Sequence, residues 1–258
     1  MNFMCVIPAR YSSKRFPGKP IASINGSPMI EWVYNRALAA KIFDDIIVAT
    51  DDQRIYDVVK SFNAKVVMTS SDFVCGTDRV AEVAQTNHAD VYINLQVDEP
   101  LISPHLLKDL CQPFKENQVL ATTAIKRISS PHELNNPNFV KVVIDNKNDA
   151  IYFSRSIVPF YRDEDNNNSW YQLYIYYKHI GIYAYRRDFL LLISKLPQGS
   201  LEQAEKLEQL RILENGYKIR TIITEYDSMG VDTREDLYAV EEYVKLNKIK
   251  MDSCNEKV

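Results

Sequence analysis

The chain reads as an α/β protein built on a mostly parallel sheet, with a smaller antiparallel section near its middle. Three observations carry that reading. Short apolar runs rich in Val and Ile, at 3–9, 46–50, 65–68 and 91–96, suit buried strands. Segments of helical spacing separate them, at 28–40, 53–62 and 78–87, and strand–helix alternation of this kind builds parallel βαβ units. From about residue 114 the pattern changes. Here 119–126, 141–145, 150–154 and 175–185 read as strands with little helix between them, the mark of an antiparallel section set into or beside the core.

The later elements follow from local signals. Residues 201–214 are spaced as one amphipathic helix, with Gly216 just past its end where a C-cap glycine belongs. A strand follows at 219–224. The last helix runs from Thr233 towards Lys248, with Thr233 as N-cap and Asp236 three residues on. Residues 163–169, DEDNNNS, read as an exposed mobile loop, and the polar tail after Lys250 as frayed. No internal repeat is visible. With 258 residues and 46% hydrophobic content, residues 1–258 are expected to form a single domain that needs no disulfide or metal staple.

Composition narrows the function classes. A net charge of −3 gives no global attraction for nucleic acid, so any anion site must be local. Cys5, Cys75, Cys111 and Cys254 are widely spaced with no CxxC pair and read as reduced thiols. The apolar run at 3–7 stops at Pro8, and no stretch reaches the length of a membrane span. The expectation is a soluble cytoplasmic protein with no nucleic-acid or membrane partner. Glycine is scarce, seven in the whole chain against a usual share of roughly 7%. Each remaining glycine is therefore a candidate for a backbone position that little else can fill.

Two constellations carry chemistry. The first strand runs into residues 10–19, RYSSKRFPGK, which hold four cations and no acid. Ligands of open α/β sheets bind beyond the carboxyl ends of strands. A basic loop in that place, with Ser12, Ser13 and Gly18 letting backbone N–H groups approach, suits a polyphosphate. It is neither a Walker A loop nor a GxGxxG turn. The second constellation, residues 94–100 (NLQVDEP), closes the fourth strand at the same sheet edge. One or two carboxylates beside a triphosphate are what Mg²⁺ takes. Asp98 and Glu99 stand there, and Asp232 after the last strand is a candidate second ligand. Read alone, these acids serve equally well as turn formers, and Asp232 as a cap of the last helix.

At this point the ordered motifs carry a resemblance. Ile7-Pro8-Ala9-Arg10-Tyr11, Arg15-Phe16-Pro17-Gly18-Lys19-Pro20, Val48-Ala49-Thr50-Asp51-Asp52, Gly76-Thr77-Asp78-Arg79 and Asp98-Glu99-Pro100 are joined by several later ones. These are Tyr152-Phe153-Ser154-Arg155, His179-Ile180-Gly181-Ile182-Tyr183, Leu207-Glu208-Gln209-Leu210-Arg211 and Gly230-Val231-Asp232-Thr233. Together they resemble the 3-deoxy-manno-octulosonate cytidylyltransferases, the CMP-Kdo synthetases, from residue 3 to about 240. The resemblance implies a GT-A-like nucleotidyltransferase fold whose antiparallel section, about 120–190, forms a homodimer interface through the aromatic stretch at 170–177. It implies transfer of CMP from CTP to the anomeric hydroxyl of 3-deoxy-manno-octulosonate (Kdo), with release of pyrophosphate, for lipopolysaccharide assembly.

By the same resemblance Arg10, Ser13, Arg15 and Lys19 hold the triphosphate, with Cys75, Gly76 and Arg79 near the nucleotide. Arg10, Lys19, Asp98 and Asp232 form the catalytic set. Asp98 and Asp232 hold Mg²⁺, and a second Mg²⁺ rides on the triphosphate. Gln96, Arg155, His179, Tyr183, Glu208 and Gln209 line the sugar pocket. Three positions depart from the family pattern: Val97 in place of Gly, Cys75 in place of Ser, and Gly199 in a variable loop. Val97 is strained if its φ is positive and merely narrows the pocket if φ is negative. Two other readings stay open: a cytidylyltransferase for a modified Kdo such as the 8-amino sugar, and a catalytically silent nucleotide-binding paralogue.

Overall fold

The first strand, β1 (Phe3–Ala9), is the centre of the sheet because it is apolar on both faces; Cys5, Val6 and Ile7 are fully buried. The computed structural model describes residues 1–13, 15–73 and 75–251. Lys14 of the basic loop, Cys254 and the tail from residue 252 lie outside the described residues. After the basic loop come a small hairpin, β2 (Ser23–Ile24) and β3 (Ser27–Pro28), and helix α1 (Met29–Ala40). Then β4 (Asp45–Thr50), α2 (Gln53–Ser61), β5 (Lys65–Met68), α3 (Gly76–Thr86) and β6 (Val91–Asn94) follow in the expected alternation.

The second half begins with α4 (Pro104–Cys111), β7 (Ala121–Arg127), α5 (Pro131–Asn135), β8 (Lys141–Ile144) and β9 (Ala150–Ser154). It continues with α6 (Trp170–Leu173), β10 (Tyr177–Arg186), α7 (Arg187–Ile193), α8 (Ser200–Glu205), α9 (Leu210–Glu214), β11 (Arg220–Ile223) and α10 (Arg234–Asn247). The strands run β11-β7-β10-β6-β1-β4-β5 across one sheet. Neighbours pair in parallel except at β10, which is antiparallel to both β6 and β7. Strands β8 and β9 continue antiparallel from β10. The expected antiparallel section is therefore woven into the main sheet through β7 and β10, with β8 and β9 as its extension.

Residues 201–214 correct the sequence reading. They form two short helices, α8 and α9, with Lys206 in the left-handed region at φ 54. The left-handed backbone at Lys206 ends α8, and the Arg155 guanidinium satisfies the freed Glu205 carbonyl at 2.7 Å. Helices α4 and α5 lie in stretches with no predicted helix. Both carry a readable start, a Ser N-cap followed by Pro: Ser103 accepts from the Leu106 N–H and Ser130 from the Glu133 N–H. Thr233 and Asp236 form the predicted capping box of α10, and Gly216 takes φ 78 just past α9. The acidic, Asn-rich stretch at 163–169 is mostly exposed and ends in a 3₁₀ turn capped by Asn166.

Candidate active site

The carboxyl ends of β1 and β6 deliver the two predicted constellations to one cleft. Beyond β1 the chain folds back on Tyr11, whose carbonyl accepts from both Ser13 N–H (3.0 Å) and Gly18 N–H (2.9 Å). Gly18 has φ 73, and a Cβ there would press on the Tyr11 ring at 3.1 Å, so the turn needs glycine twice over. The Arg54 guanidinium stacks on the Tyr11 ring, 3.3 Å from its centroid, and is itself held by both oxygens of Asp52. The loop is thus anchored while Arg10 and Arg15 remain exposed along it.

Lys19 turns inward and is only 8% exposed. Its ammonium donates to Asp98 Oδ2 at 2.9 Å, to the Val231 carbonyl at 2.8 Å and to Asp232 Oδ1 at 3.4 Å. Arg15 pairs with the other oxygen of Asp232 at 2.9 Å. Asp232 therefore faces the cleft and does not cap α10; that role belongs to Thr233 and Asp236. Because both carboxylates reach one nitrogen, their oxygens surround a single cation-sized position. Among the described residues no cluster of three His, Cys, Asp or Glu forms a cage made of protein alone. Two carboxylates open to phosphate oxygens and water are a donor set that suits magnesium.

Three contiguous cavities meet at Gln96, which lines all of them and donates to Asn94 Oδ1 at 2.8 Å. The first, about 490 Å³, is walled by Arg10, Ser13, Arg15, Lys19, Cys75, Gly76, Arg79, Val97, Asp98 and Asp232. The sequence-predicted nucleotide residues thus share one cleft. Arg79 is buried in its wall, held by Asp51 Oδ2 at 2.9 Å and by the Thr69 hydroxyl. Cys75 is the N-cap of α3 without a side-chain cap bond, and burial pushes its thiol pKa well up.

The second cavity, about 310 Å³, takes His179, Tyr183, Glu208 and Gln209 together with Gln96. Gly181 opens it: a Cβ there would meet nothing within 4 Å. The break between α8 and α9 is what lets the consecutive Glu208 and Gln209 face the same space. Tyr183 Oη and Gln209 Nε2 are buried with no hydrogen-bond partner, the mark of donors waiting for a polar ligand. Burial raises the Glu208 pKa, partly offset by the Thr77 hydroxyl. His179 is pushed down to about 3 by burial, so its ring is neutral. Arg155 is the one predicted sugar residue outside these walls; it is tied to Glu205 and to the Pro137 carbonyl at 3.2 Å. A third cavity of about 630 Å³ joins the other two past Asp98, His179 and Asp232 and adds Glu99, Lys178 and Asp227. Burial raises the Glu99 pKa to about 7 against its hydrogen bonds from Ser228 and Tyr226.

A cytidylyltransferase family model matches residues 4–219. A 3-deoxy-manno-octulosonate cytidylyltransferase from Solibacter usitatus is 52% identical over 241 residues, 93% of each chain. The chain belongs to the 3-deoxy-manno-octulosonate cytidylyltransferase family. An 8-amino-3,8-dideoxy-manno-octulosonate cytidylyltransferase from Shewanella pealeana is 50% identical over 243 residues, 92% of this chain and 96% of that one. Among solved structures, a CMP:2-keto-3-deoxy-manno-octonic acid synthetase complexed with CTP superposes with a TM-score of 0.90 at 42% identity. That match covers 96% of this chain and 100% of the other.

Against this family Val97 and Gly199 find physical accounts, and nothing in the structure explains Cys75 in place of Ser. Val97 is absent from the positive-φ residues and is 8% exposed, packed in the main core and in the wall of the 490 Å³ cleft. It fills space without strain. Gly199 sits under the Glu214 carboxylate, which a Cβ would overlap. That carboxylate accepts from Ser200 Oγ, Leu201 N–H and Glu202 N–H and so caps α8 from a distance. In this cytidylyltransferase the Gly199 loop is a packing solution. Cys75, Cys5 and Cys111 are free thiols. Thr123, which contacts His179, gave no signal in the sequence; Arg211 lies in one of the family motifs, but nothing there foretells its pairing with Glu202.

Proposed function

We propose that the enzyme transfers CMP from CTP to the anomeric hydroxyl of Kdo, giving CMP-Kdo and pyrophosphate for lipopolysaccharide assembly. The observation that carries this is the meeting of three things at Gln96. They are a basic loop, a two-carboxylate cation position and a cavity that holds two buried, unpartnered donors. Arg10, Arg15, Lys19 and Ser13 bind the triphosphate, and the cations stabilise charge that grows on the departing pyrophosphate. Gln96, His179, Tyr183, Glu208 and Gln209 orient the sugar so that its hydroxyl lies in line with the α-phosphorus. Asp98 and Asp232 hold magnesium, which when bound neutralises phosphate charge and lowers the pKa of the attacking hydroxyl. Lys19 and Arg15 occupy the carboxylates in the ligand-free chain and turn to the phosphates when nucleotide enters. A second magnesium on the triphosphate belongs to this reading.

Arg155 serves the sugar through the loop it pins, between α8 and α9. The partner in solution is a second copy of the chain. An apolar patch supports this: Phe160, Leu173, Tyr174 and Ile175 all stand exposed on the antiparallel side. No helix among the described residues is long and apolar enough to cross a membrane.

Pyrophosphate release from CTP and Mg²⁺ tests the reading, with Kdo, 8-amino-Kdo and sialic acid compared. Release with Kdo is expected. Release with the 8-amino sugar alone would move the activity to the second reading, which the 50% identity to the Shewanella pealeana relative keeps in view. No release with any sugar would leave a silent paralogue. Asp98→Asn is expected to lower turnover by roughly a hundredfold or more while calorimetry still shows CTP binding. An unchanged rate would refute the role of Asp98.

A further inference from the structure

His179 faces the sugar-side cavities, yet its ring is held by a residue of another strand. Its Nε2 lies 2.9 Å from the hydroxyl of Thr123 in β7. Thr123 is fully buried opposite an irregularity in β10, where the register shifts between Ile180 and Tyr183. The same hydroxyl lies 2.8 Å from the Ile182 carbonyl and 3.4 Å from the Ile180 carbonyl. A threonine has one hydroxyl proton, and a carbonyl can only accept. The closer carbonyl, Ile182, takes that proton: the Thr123 hydroxyl donates to it at 2.8 Å, well inside the 3.4 Å to Ile180. The Thr123 oxygen must then accept, and the donor is His179 Nε2–H. A neutral imidazole carries a single N–H, so Nδ1 is a bare lone pair. Phe153 (5.2 Å between ring centroids) and Tyr183 (5.3 Å) pack on the ring and hold its plane. Burial keeps the ring uncharged at neutral pH.

We propose that Thr123 is a positioning residue for sugar selection: by accepting the Nε2 proton it fixes His179 as an acceptor-only group that takes a hydroxyl proton of the acidic sugar at Nδ1. The inference rests on the Kdo-transfer reading and deepens it. The cavity then presents a defined pattern: donors at Tyr183 Oη and Gln209 Nε2, and an acceptor at His179 Nδ1. A polyhydroxylated acid offers both kinds of partner, whereas a sugar lacking the hydroxyl facing His179 would leave the lone pair unpaired. Water-accessible histidines exchange between tautomers freely; in this one the exchange would draw the Thr123 proton away from the Ile182 carbonyl.

Nitrogen-15 spectra of histidine-labelled, full-length protein test the hydrogen bond directly, with His179→Gln identifying the resonance among the four histidines. The expected result is a protonated Nε2 and an unprotonated Nδ1 in the wild type. In Thr123→Val the population should shift towards the other tautomer. Steady-state kinetics should show KM for Kdo raised roughly tenfold in Thr123→Val, with KM for CTP and kcat little changed. Thr123→Ser, which keeps the hydroxyl, should recover both readouts. A wild-type spectrum with Nδ1 protonated would overturn the proposal even if the valine variant failed to fold. A folded valine variant with unchanged KM for Kdo would overturn it as well. Should the tautomer be as stated while neither Kdo nor its 8-amino form is turned over, the transfer reading fails and the sugar role of Thr123 falls with it; the hydrogen bond alone stands.

Discussion

Single residues in the cleft gain their meaning from what they touch. Lys19 is nearly buried and pinned by two carboxylates and a carbonyl, so it is already desolvated; in the proposed reaction it exchanges these partners for phosphate oxygens. Asp98 and Asp232 are readable as candidates because each follows a buried strand; their convergence on one cation follows from the family resemblance and from no spacing rule. Val97 illustrates the reverse case. Its β-branched side chain, suspicious in sequence, sits at an ordinary φ with its side chain in the core. Val97→Gly is therefore expected to lose about 1.5–3 kcal/mol of buried apolar contact and a further ~0.5–1 kcal/mol through backbone entropy. Chemical denaturation should register the loss, and turnover should not rise. A more active glycine variant would show that the valine obstructs the site.

At the scale of elements, the break between α8 and α9 shapes the sugar-side cavity. Local spacing favours one continuous helix, and three long-range contacts override it. Arg155 takes the last carbonyl of α8, Glu214 caps its start, and Arg211 makes a two-point pair with Glu202 at 2.7 Å on each arm. Glu202 is buried and Arg211 is partly buried, and the pair ties the two short helices together across the break. Glu202→Ala leaves the partly buried guanidinium without its carboxylate and with only the Leu196 carbonyl, which costs on the order of 2 kcal/mol. Thermal unfolding should show the drop, and KM for Kdo should rise more than KM for CTP, since the nucleotide cleft lies on other elements. Equal increases in both would mean the pair stabilises the molecule without shaping the cavity.

For the whole molecule, charge and association set the predictions. Lys178 is buried between Glu133 and Asp227, with Lys126 on the far oxygen of Asp227. Burial alone would raise both carboxyl pKa values, but the bonds from Lys178 outweigh it and each ends lowered. A carboxyl depressed in the folded state contributes stability above its unfolded pKa and loses it as pH falls through the folded value. The wild type should thus lose this contribution below about pH 4. Lys178→Met should cost about 2 kcal/mol at neutral pH, at the low end for a buried pair because Asp227 is half exposed. Melting curves across pH should show that deficit shrinking towards acid; a constant deficit would place the effect in packing. The proposed dimer would associate through the exposed patch. Sedimentation should give twice the chain mass, and Phe160→Asp, at a side chain 75% exposed, should halve it without lowering the melting point of the monomer fold.

Sequence by itself determined the layered alternation, the basic loop beyond the first strand, the capping box of α10 and the acids at the sheet edge. These are legible because burial imposes a period on residues close in the chain, and because Ser, Thr, Gly and Pro punctuate locally. Tertiary structure decided the rest. Lys19 meets Asp98 across 79 residues and Asp232 across 213; Thr123 meets His179 across 56. No spacing rule encodes such pairings. A buried polar group must find its partner wherever the folded chain supplies one, so the proton on His179 and the place where a helix breaks are settled only when distant strands come into register.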